Sequence, residues 1–401
     1  MKDRTWTGNR HADGQDRVGG LIKLLTFGLL CIGLVTTASA GPREQARRIH
    51  DRLAGVPPNE TVLSSMEAQV SGQTGAAIDA AYQAMQNPNF YNVTLKNFAA
   101  PWTNRDQNVF VPLNDYIATV IGMIRDGVAF NTLFSADLLY IGPGSLPPYS
   151  NSNNNHYEQM ESQGVDMMTG LQAVTQSTFN GLPPAATAGI WTTRAAAEAF
   201  FIAGTNRAQF RFTMLNHLCN DMEQVHDVKR TPDRIRQDVS RSPGGDSRLF
   251  LNNCIGCHSG MDPLAGAFAY YNFNETTGSV EYTPGVVQPK YFNNDTNFEF
   301  GYRTTDDSWA NYWRNGQNQF LGWDTLLPGS GFGAASMGQE LANSDAFAKC
   351  QVRKVFRAVC LRDPEDPADR SQVDNVMVPS FKAGYQMKQT FAEAAVYCMG
   401  Q

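Results

Sequence analysis

Five consecutive residues, Cys254-Ile255-Gly256-Cys257-His258, constrain this chain more than any other stretch. Two cysteines three positions apart, followed directly by histidine, form the attachment motif of a c-type haem. In that chemistry each thiol adds to one haem vinyl group, and the histidine beside the second thioether binds the iron. The motif therefore predicts one covalent haem c held by Cys254 and Cys257, with His258 as the proximal iron ligand.

Two other functions of the same motif receive less support from the sequence. Half of a zinc site would require a second Cys/His pair at ligand spacing, and no such pair follows. A redox dithiol of the thioredoxin type would lie beside a βαβ pattern, and the surrounding sequence has none. Covalent haem attachment is thus the favoured interpretation.

Residues 1–40 are predicted to be an export signal. Five basic residues outnumber three acidic ones ahead of an apolar stretch, 24–35, and Ala38-Ser39-Ala40 supplies the small residues of a cleavage site near Ala40. The apolar stretch is too short for a permanent transmembrane helix, and no other segment approaches that length. The basic region has no paired arginine, which indicates a Sec-type signal. We therefore expect a periplasmic or secreted protein without a transmembrane segment after cleavage.

The charge of the chain limits its partners. The formal net charge is −6, and it becomes −8 once the predicted signal is removed. A chain this acidic has no electrostatic attraction for nucleic acid or for an anionic membrane. A redox protein remains the expected partner, and the sequence does not identify it.

The remaining cysteines predict two disulfides. Seven cysteines are present; Cys31 leaves with the signal and two hold the haem, so four remain in an oxidising compartment. Cys350 and Cys360 lie on one predicted helix, about 15 Å apart at ~1.5 Å per residue, and cannot pair with each other. If the last helix folds back antiparallel, Cys398 comes nearer Cys350. The favoured pairing is Cys350–Cys398 with Cys219–Cys360.

Apolar periodicity predicts a mainly α fold. The clearest helix follows Pro112, where Leu113 to Ile124 repeat at helical spacing. Further helices are expected over the ranges 42–104 (with breaks), 129–140, 194–203, 207–222, 339–361 and 379–397. The range 270–331 is predicted to form loops with a few short strands. With a hinge at Ser242–Gly245, we expect a helical N-terminal domain, 41–244, and a c-type cytochrome-like helical haem domain, 245–401, with a loop-rich insert.

The sixth iron ligand decides between an electron carrier and a catalyst. Met261 is tethered three residues beyond His258 and is held on the proximal side. Met337 is the better candidate, because it lies in a small-residue stretch, 333–338, ahead of the predicted helix that carries Cys350, and class I c-type cytochromes place their distal methionine in such a loop. The alternatives that stay open are no ligand, Met377, Met387, Met399, His156, His217 and His226.

The segment from Cys254 to Leu264 resembles the haem segment of a group of poorly characterised secreted bacterial proteins. Large planctomycete members of that group carry Cys-x-x-Cys-His followed by Met-Asp-Pro-Leu-Gly, and Ala265 stands here in place of the glycine. Further similar stretches are 52–58, 112–116, 134–137, 204–208 and 338–360. The resemblance implies a helical, secreted, haem-bearing protein, and the group has no established reaction to transfer.

Two functions remain in competition, and covalent haem argues against a third, a structural or binding protein of the cell surface in which haem mainly stabilises the fold. A periplasmic monohaem cytochrome that carries electrons is favoured, because one haem motif and one candidate distal methionine are present without another catalytic constellation. The alternative is a haem-dependent oxidase or peroxidase with an open distal site. Its support is size, since an electron carrier needs far fewer residues than this chain has. The sequence leaves open whether the protein is an enzyme.

Overall fold

The structure, a computed structural model, describes residues 40–72, 75–202, 205–292, 296 and 299–400. Residues 1–39 of the predicted export signal, with Cys31, lie outside this part of the chain. The described fold is mainly α-helical, as predicted. The first ten α-helices of the described residues are α1 (Pro42–Ala54), α2 (Glu60–Val70), α3 (Ala76–Ala84), α4 (Lys96–Ala99), α5 (Asp115–Asp126), α6 (Asn155–Ser162), α7 (Met167–Gly170), α8 (Gln176–Asn180), α9 (Arg194–Phe200) and α10 (Arg207–His217).

The remaining elements include three small sheets. The later helices are α11 (Ser247–Leu249), α12 (Ile255–Ala265), α13 (Ala334–Ala342), α14 (Asp345–Cys360), α15 (Pro367–Ser371), α16 (Val378–Gly384) and α17 (Met387–Tyr397). Three antiparallel pairs are formed by the strands β1 (Leu139–Ile141) with β2 (Gln172–Val174), β3 (Tyr271–Asn274) with β4 (Ser279–Tyr282), and β5 (Ser308–Ala310) with β6 (Ser330–Phe332). Four of these strands lie in the predicted loop-rich insert.

Helix α5 shows why the periodic segments fold as expected. The Asn114 side chain accepts a hydrogen bond from the Ile117 amide at 3.0 Å and caps the N-terminus. Gly127 ends the helix in the left-handed conformation, at φ 66°. Almost the whole helix is buried, so burial of its apolar side chains stabilises it. The predicted helix is confirmed, although it begins at the Asn114 cap rather than at Pro112.

The prediction of a helix over 129–140 is wrong. A 3₁₀ turn, Phe130–Thr132, is followed by irregular chain and strand β1. The carbonyl oxygens of Leu133 and Ala136 accept hydrogen bonds from the amides of Ile190 and Gly189, at 3.0 and 3.1 Å. Because these carbonyls bind a distant segment, they are not available to a continuous local helix.

The C-terminal helices are shorter than predicted. Ser344 separates α13 from α14, since its Oγ accepts a hydrogen bond from the Phe347 amide at 3.1 Å and starts a new helix. Tyr385, at φ 53°, separates α16 from α17. Cys219, at φ 53°, lies just after α10, which ends before the predicted Met222.

The described residues contain two disulfides, as predicted, but the favoured pairing is wrong. The bonded pairs are Cys219–Cys350 and Cys360–Cys398, with Cα atoms 5.3 and 5.5 Å apart. The chain between α14 and α17 explains the difference, because Lys382 of α16 pairs with Asp345 at the start of α14. This segment therefore runs back from the end of α14 toward its start. Helix α17 then runs in the same direction as α14, and Cys398 comes beside Cys360.

Residues 42–399 form one compact unit with a shared core. In that core Phe90 packs edge-on against Phe391 at 5.2 Å between ring centroids, so early and late helices contact each other directly. Among the described residues, none of the helices combines the length and apolar character that a bilayer crossing requires.

Candidate haem attachment site

The predicted haem motif lies at the start of helix α12. A π-helical turn, Phe250–Cys254, leads into this helix, which then continues without interruption through His258. Cys254 and His258 are four positions apart and therefore project from the same side of the helix, with Cys257 next to them. The structure thus brings the three predicted haem-binding residues to one helix face.

The opposite side of α12 is packed closely against the protein. A Cβ atom at Gly256 would lie 2.3 Å from Nε2 of His226, and one at Gly260 would lie 2.0 Å from Nε1 of Trp313. Neither contact is sterically possible, so a side chain at either position would have to displace the facing ring. Because Gly256 and Gly260 pack the reverse side against these two rings, the cysteines and His258 lie on the other, partly exposed side.

Cys254 and Cys257 are the described cysteines outside the disulfides, and both thiols are partly exposed. Burial raises the pKa of the Cys257 thiol, and the carboxylates of Glu223 and Asp221 raise it further. A redox-active dithiol depends on a lowered thiol pKa. The raised pKa of Cys257 thus gives no support to a redox dithiol, and neither thiol is taken up by a disulfide.

His258 is oriented by a carboxylate one helical turn further on. Its Nδ1 lies 3.1 Å from Oδ1 of Asp262, and its side chain is 20% exposed. A carboxylate only accepts hydrogen bonds, so Nδ1 carries a proton, and in the neutral form of the ring Nε2 then presents a lone pair. This tautomer is the one that a metal ligand needs, and such a second hydrogen bond fixes the ring and increases its basicity.

Asp262 is fully buried and held by arginine. Arg207 donates from Nε to Oδ1 at 2.7 Å and from Nη2 to Oδ2 at 2.9 Å. Burial by itself raises the pKa of Asp262, but Arg207, His258 and Arg236 outweigh it and hold the pKa well below its ordinary value. The carboxylate beside His258 is therefore ionised throughout the neutral range.

Arg207 also binds a second carboxylate. Its Nη1 and Nη2 donate to Asp238 at 2.6 and 3.0 Å, so one guanidinium bridges Asp238 and Asp262. Arg236, which is 1% exposed, donates to Thr205 at 2.7 Å and lies 3.8 Å from Asp262. Two arginines thus balance two aspartates. This network keeps the partner of His258 in place.

Met337 is placed differently from the prediction. It lies within helix α13 instead of a loop, and its side chain is fully buried in the main hydrophobic core. The neighbouring Gly338 packs on Phe134, because a Cβ atom at Gly338 would lie 2.4 Å from the Phe134 carbonyl oxygen. The loop placement is therefore wrong, and iron ligation by Met337 remains a prediction.

Two of the three histidines considered as alternative ligands have structural roles. Nδ1 and Nε2 of His156 hydrogen-bond to the Pro147 carbonyl at 2.6 Å and the Gly142 amide at 2.8 Å. Nε2 of His217 bonds to the Tyr116 hydroxyl at 2.8 Å, and burial lowers the pKa of His217 well below its ordinary value. These two rings are satisfied core residues. His226 faces the reverse side of α12.

Comparison with known proteins adds no identification. No known protein family, curated protein or solved structure matches the chain. Within the described ranges, no group of three or more histidine, cysteine, aspartate or glutamate side chains is arranged to hold a metal ion. The resemblance to the planctomycete group thus stays a prediction.

Sequence reasoning assigned no role to Asp262, Arg207, Arg236 or Asp238. A signal for the first was present, since Asp262 follows His258 by four positions and residues at that spacing meet on a helix. The contact with Arg207 spans 55 positions and has no local signature. Only the folded chain brings the arginines to the site.

Proposed function

We propose that this chain is an exported monohaem c-type cytochrome that transfers electrons to or from a redox partner. The observation that carries the proposal is the arrangement on α12, where two unpaired thiols and the imidazole of His258 share one side of a helix. The apolar side chains of Leu249 and Leu251, 43% and 56% exposed, lie just before the motif and offer surface that a haem would cover. The residues present fit a covalently held haem.

The chemistry assigns each residue one task. The thiols of Cys254 and Cys257 would each add to a vinyl group and form a thioether, and Nε2 of His258 would bind the iron. Bound in this way, haem supplies a one-electron iron couple. Asp262 keeps the proton on Nδ1 of His258 and makes the ring a stronger donor, which stabilises ferric iron and lowers the reduction potential. Arg207 holds Asp262 in position.

Export to an oxidising compartment is part of the same proposal. The pairing of Cys219 with Cys350 and of Cys360 with Cys398 supports it, because structural disulfides form and persist outside the reducing cytosol. A periplasmic or secreted location also agrees with the export signal that the sequence predicts.

Replacing Asp262 tests how His258 is tuned. In Asp262→Asn the charge-assisted hydrogen bond is lost, and we expect covalent haem to be retained while the reduction potential rises by about 60 mV, the equivalent of a tenfold change for a one-electron couple. Redox titration followed in the visible spectrum measures the shift. Asp238→Asn is the matched control, since it removes the same charge from Arg207 without touching His258 and should give a smaller shift. Equal shifts in the two variants would contradict a direct role of Asp262.

Replacing Met337 tests the proposed distal ligand. If Met337 binds the iron, the wild-type ferrous protein resists carbon monoxide, and Met337→Ala opens the site, lowers the potential and permits carbon monoxide binding. Met261→Ala is the control, because both methionines are buried and each truncation costs about 2–5 kcal/mol of stability. Met261→Ala should leave the visible spectrum nearly unchanged. Spectra with and without carbon monoxide give the answer.

A haem-dependent oxidase or peroxidase with an open distal site is the second candidate. The contact of His258 with the ionised Asp262 favours it, since a strongly donating proximal histidine stabilises oxidised iron. If the wild-type protein binds carbon monoxide readily and Met337→Ala changes nothing in the spectrum, the enzyme function takes first place.

A further inference from the structure

A cavity of about 540 Å³ lies away from the haem motif, and none of its lining residues belongs to the range 247–265. It is bounded by α14, by the end of α10, and by α4 with the chain that follows it. A volume of this size is typical of sites for small molecules. The walls combine apolar, amide and cationic side chains: Phe98, Trp102, Gln107, Asn216, Lys354 and Arg357.

Lys354 is the central cation of this cavity. Its Nζ lies 3.3 Å from the centroid of the Trp102 ring and donates to the Asn216 carbonyl oxygen at 2.7 Å. Among the described residues, no carboxylate lies within 4.0 Å of this amine. An ammonium group has three protons to donate; the Asn216 carbonyl accepts one, and the faces of the Trp102 ring and, at 5.6 Å, the Phe98 ring also lie beside the amine. Burial of the amine lowers the pKa of Lys354 well below its ordinary value, which an anionic partner would offset.

The charge around Lys354 is positive. Arg353 and Arg357 come from the same turn of α14, and with Lys354 they also line an adjoining cavity of about 320 Å³. Arg357 pairs with Asp363 at 2.6 Å, and Arg353 lies 3.8 Å from Asp374. Each arginine therefore has a carboxylate partner, whereas the Lys354 amine has none among the described residues.

The backbone of this cavity is also unusual. Gln107 and Cys219 both line it, and both adopt left-handed conformations, at φ 52° and 53°. A residue other than glycine in this conformation carries about 1–3 kcal/mol of backbone strain, and such residues concentrate at ligand sites. The Gln107 side chain donates to Oδ1 of Asn216 at 2.7 Å and so ties the two walls together. The cavity is thus held in shape before any ligand arrives.

We propose that this cavity binds a small organic carboxylate, with the anionic group on Lys354 and the apolar part against Phe98. The carboxylate supplies the missing counter-charge, and the aromatic wall accounts for an apolar body. This site is separate from the haem motif, so its test does not depend on the function proposed above.

Benzoate is the probe, and binding to the full-length purified protein is measured by isothermal titration calorimetry. We expect one site with a Kd of about 1 mM or tighter. Neutral benzamide, which has the same shape without the charge, should bind at least about tenfold more weakly, because the ion pair with Lys354 is lost. Equal affinity for benzamide and benzoate would overturn the proposal, as would the absence of benzoate binding at about 10 mM.

Three variants locate the site. Lys354→Met keeps the length of the side chain without the charge and should weaken benzoate at least about tenfold, while Lys354→Arg should retain most of the affinity. Lys349→Met is the control, since Lys349 is an exposed lysine of the same helix outside the cavity. Unchanged affinity in Lys354→Met would overturn the assignment. If that variant fails to fold, the comparison of benzoate with benzamide on the wild-type protein still decides.

Discussion

Exchange of both Cys254 and Cys257 for serine is expected to abolish covalent haem. Each thioether needs a thiol, and the structure offers the two thiols of this motif outside the disulfides in the part of the chain that it describes. Either single variant should keep one thioether and show weakened attachment. Haem staining of the exported protein after denaturing electrophoresis measures the covalent bond directly, because non-covalent haem is lost under those conditions.

The matched control removes two cysteines elsewhere. Cys360→Ser with Cys398→Ser opens a disulfide but leaves α12 intact, and it should retain the full haem stain per protein. Haem staining of the Cys254/Cys257 double variant at the wild-type level would refute covalent attachment at this motif. The same result would refute both the electron-carrier proposal and the haem-enzyme alternative.

Of the two disulfides, Cys219–Cys350 should cause the larger loss of stability when it is removed. This bond closes a loop of 131 positions, and the chain-entropy relation gives about 5 kcal/mol for a loop of that size. The Cys360–Cys398 bond closes 38 positions, for which the same relation gives about 4 kcal/mol. A typical domain is stable by only about 5–15 kcal/mol, so either loss is a large fraction of the total.

Alanine pairs provide the measurement. Urea denaturation of Cys219→Ala/Cys350→Ala and of Cys360→Ala/Cys398→Ala, compared with the wild type, gives the two changes in the free energy of unfolding. Peptide mapping of the unreduced wild-type protein checks the connectivity independently. A peptide that links Cys350 to Cys398 would show the observed pairing to be wrong, and a stability change below about 1 kcal/mol for the longer loop would contradict the chain-entropy argument.

Local patterns in the sequence predicted the features that depend on neighbouring residues. The haem motif is one of them, since its three residues lie within five positions and a single helix carries them. Helix α5 is another, because its apolar spacing and Gly127 are read over a few turns. The even number of cysteines likewise predicted two disulfides in an oxidising compartment. These inferences needed no knowledge of the path of the chain.

The sequence was less informative where distant segments compete with local ones. Periodicity predicted a helix through Leu133 and Ala136, but the carbonyls of these residues bind a segment more than fifty positions away. Met337 was expected in a loop because small residues surround it, yet those residues allow a buried helix to pack against Phe134. In both cases tertiary hydrogen bonding or packing overrode a weak local preference.

What the sequence by itself determined is the chemistry of the site: two thiols and a histidine at haem-attachment spacing. What only the tertiary structure decided is their surroundings and the pairing of the other cysteines. Asp262 is held by Arg207 across 55 positions, and Cys360 meets Cys398 because the chain between α14 and α17 returns to the start of α14. The physical reason is the sequence separation of the interacting residues. Motifs and helices depend on residues a few positions apart, whereas these ion pairs and disulfides depend on the path of the whole chain.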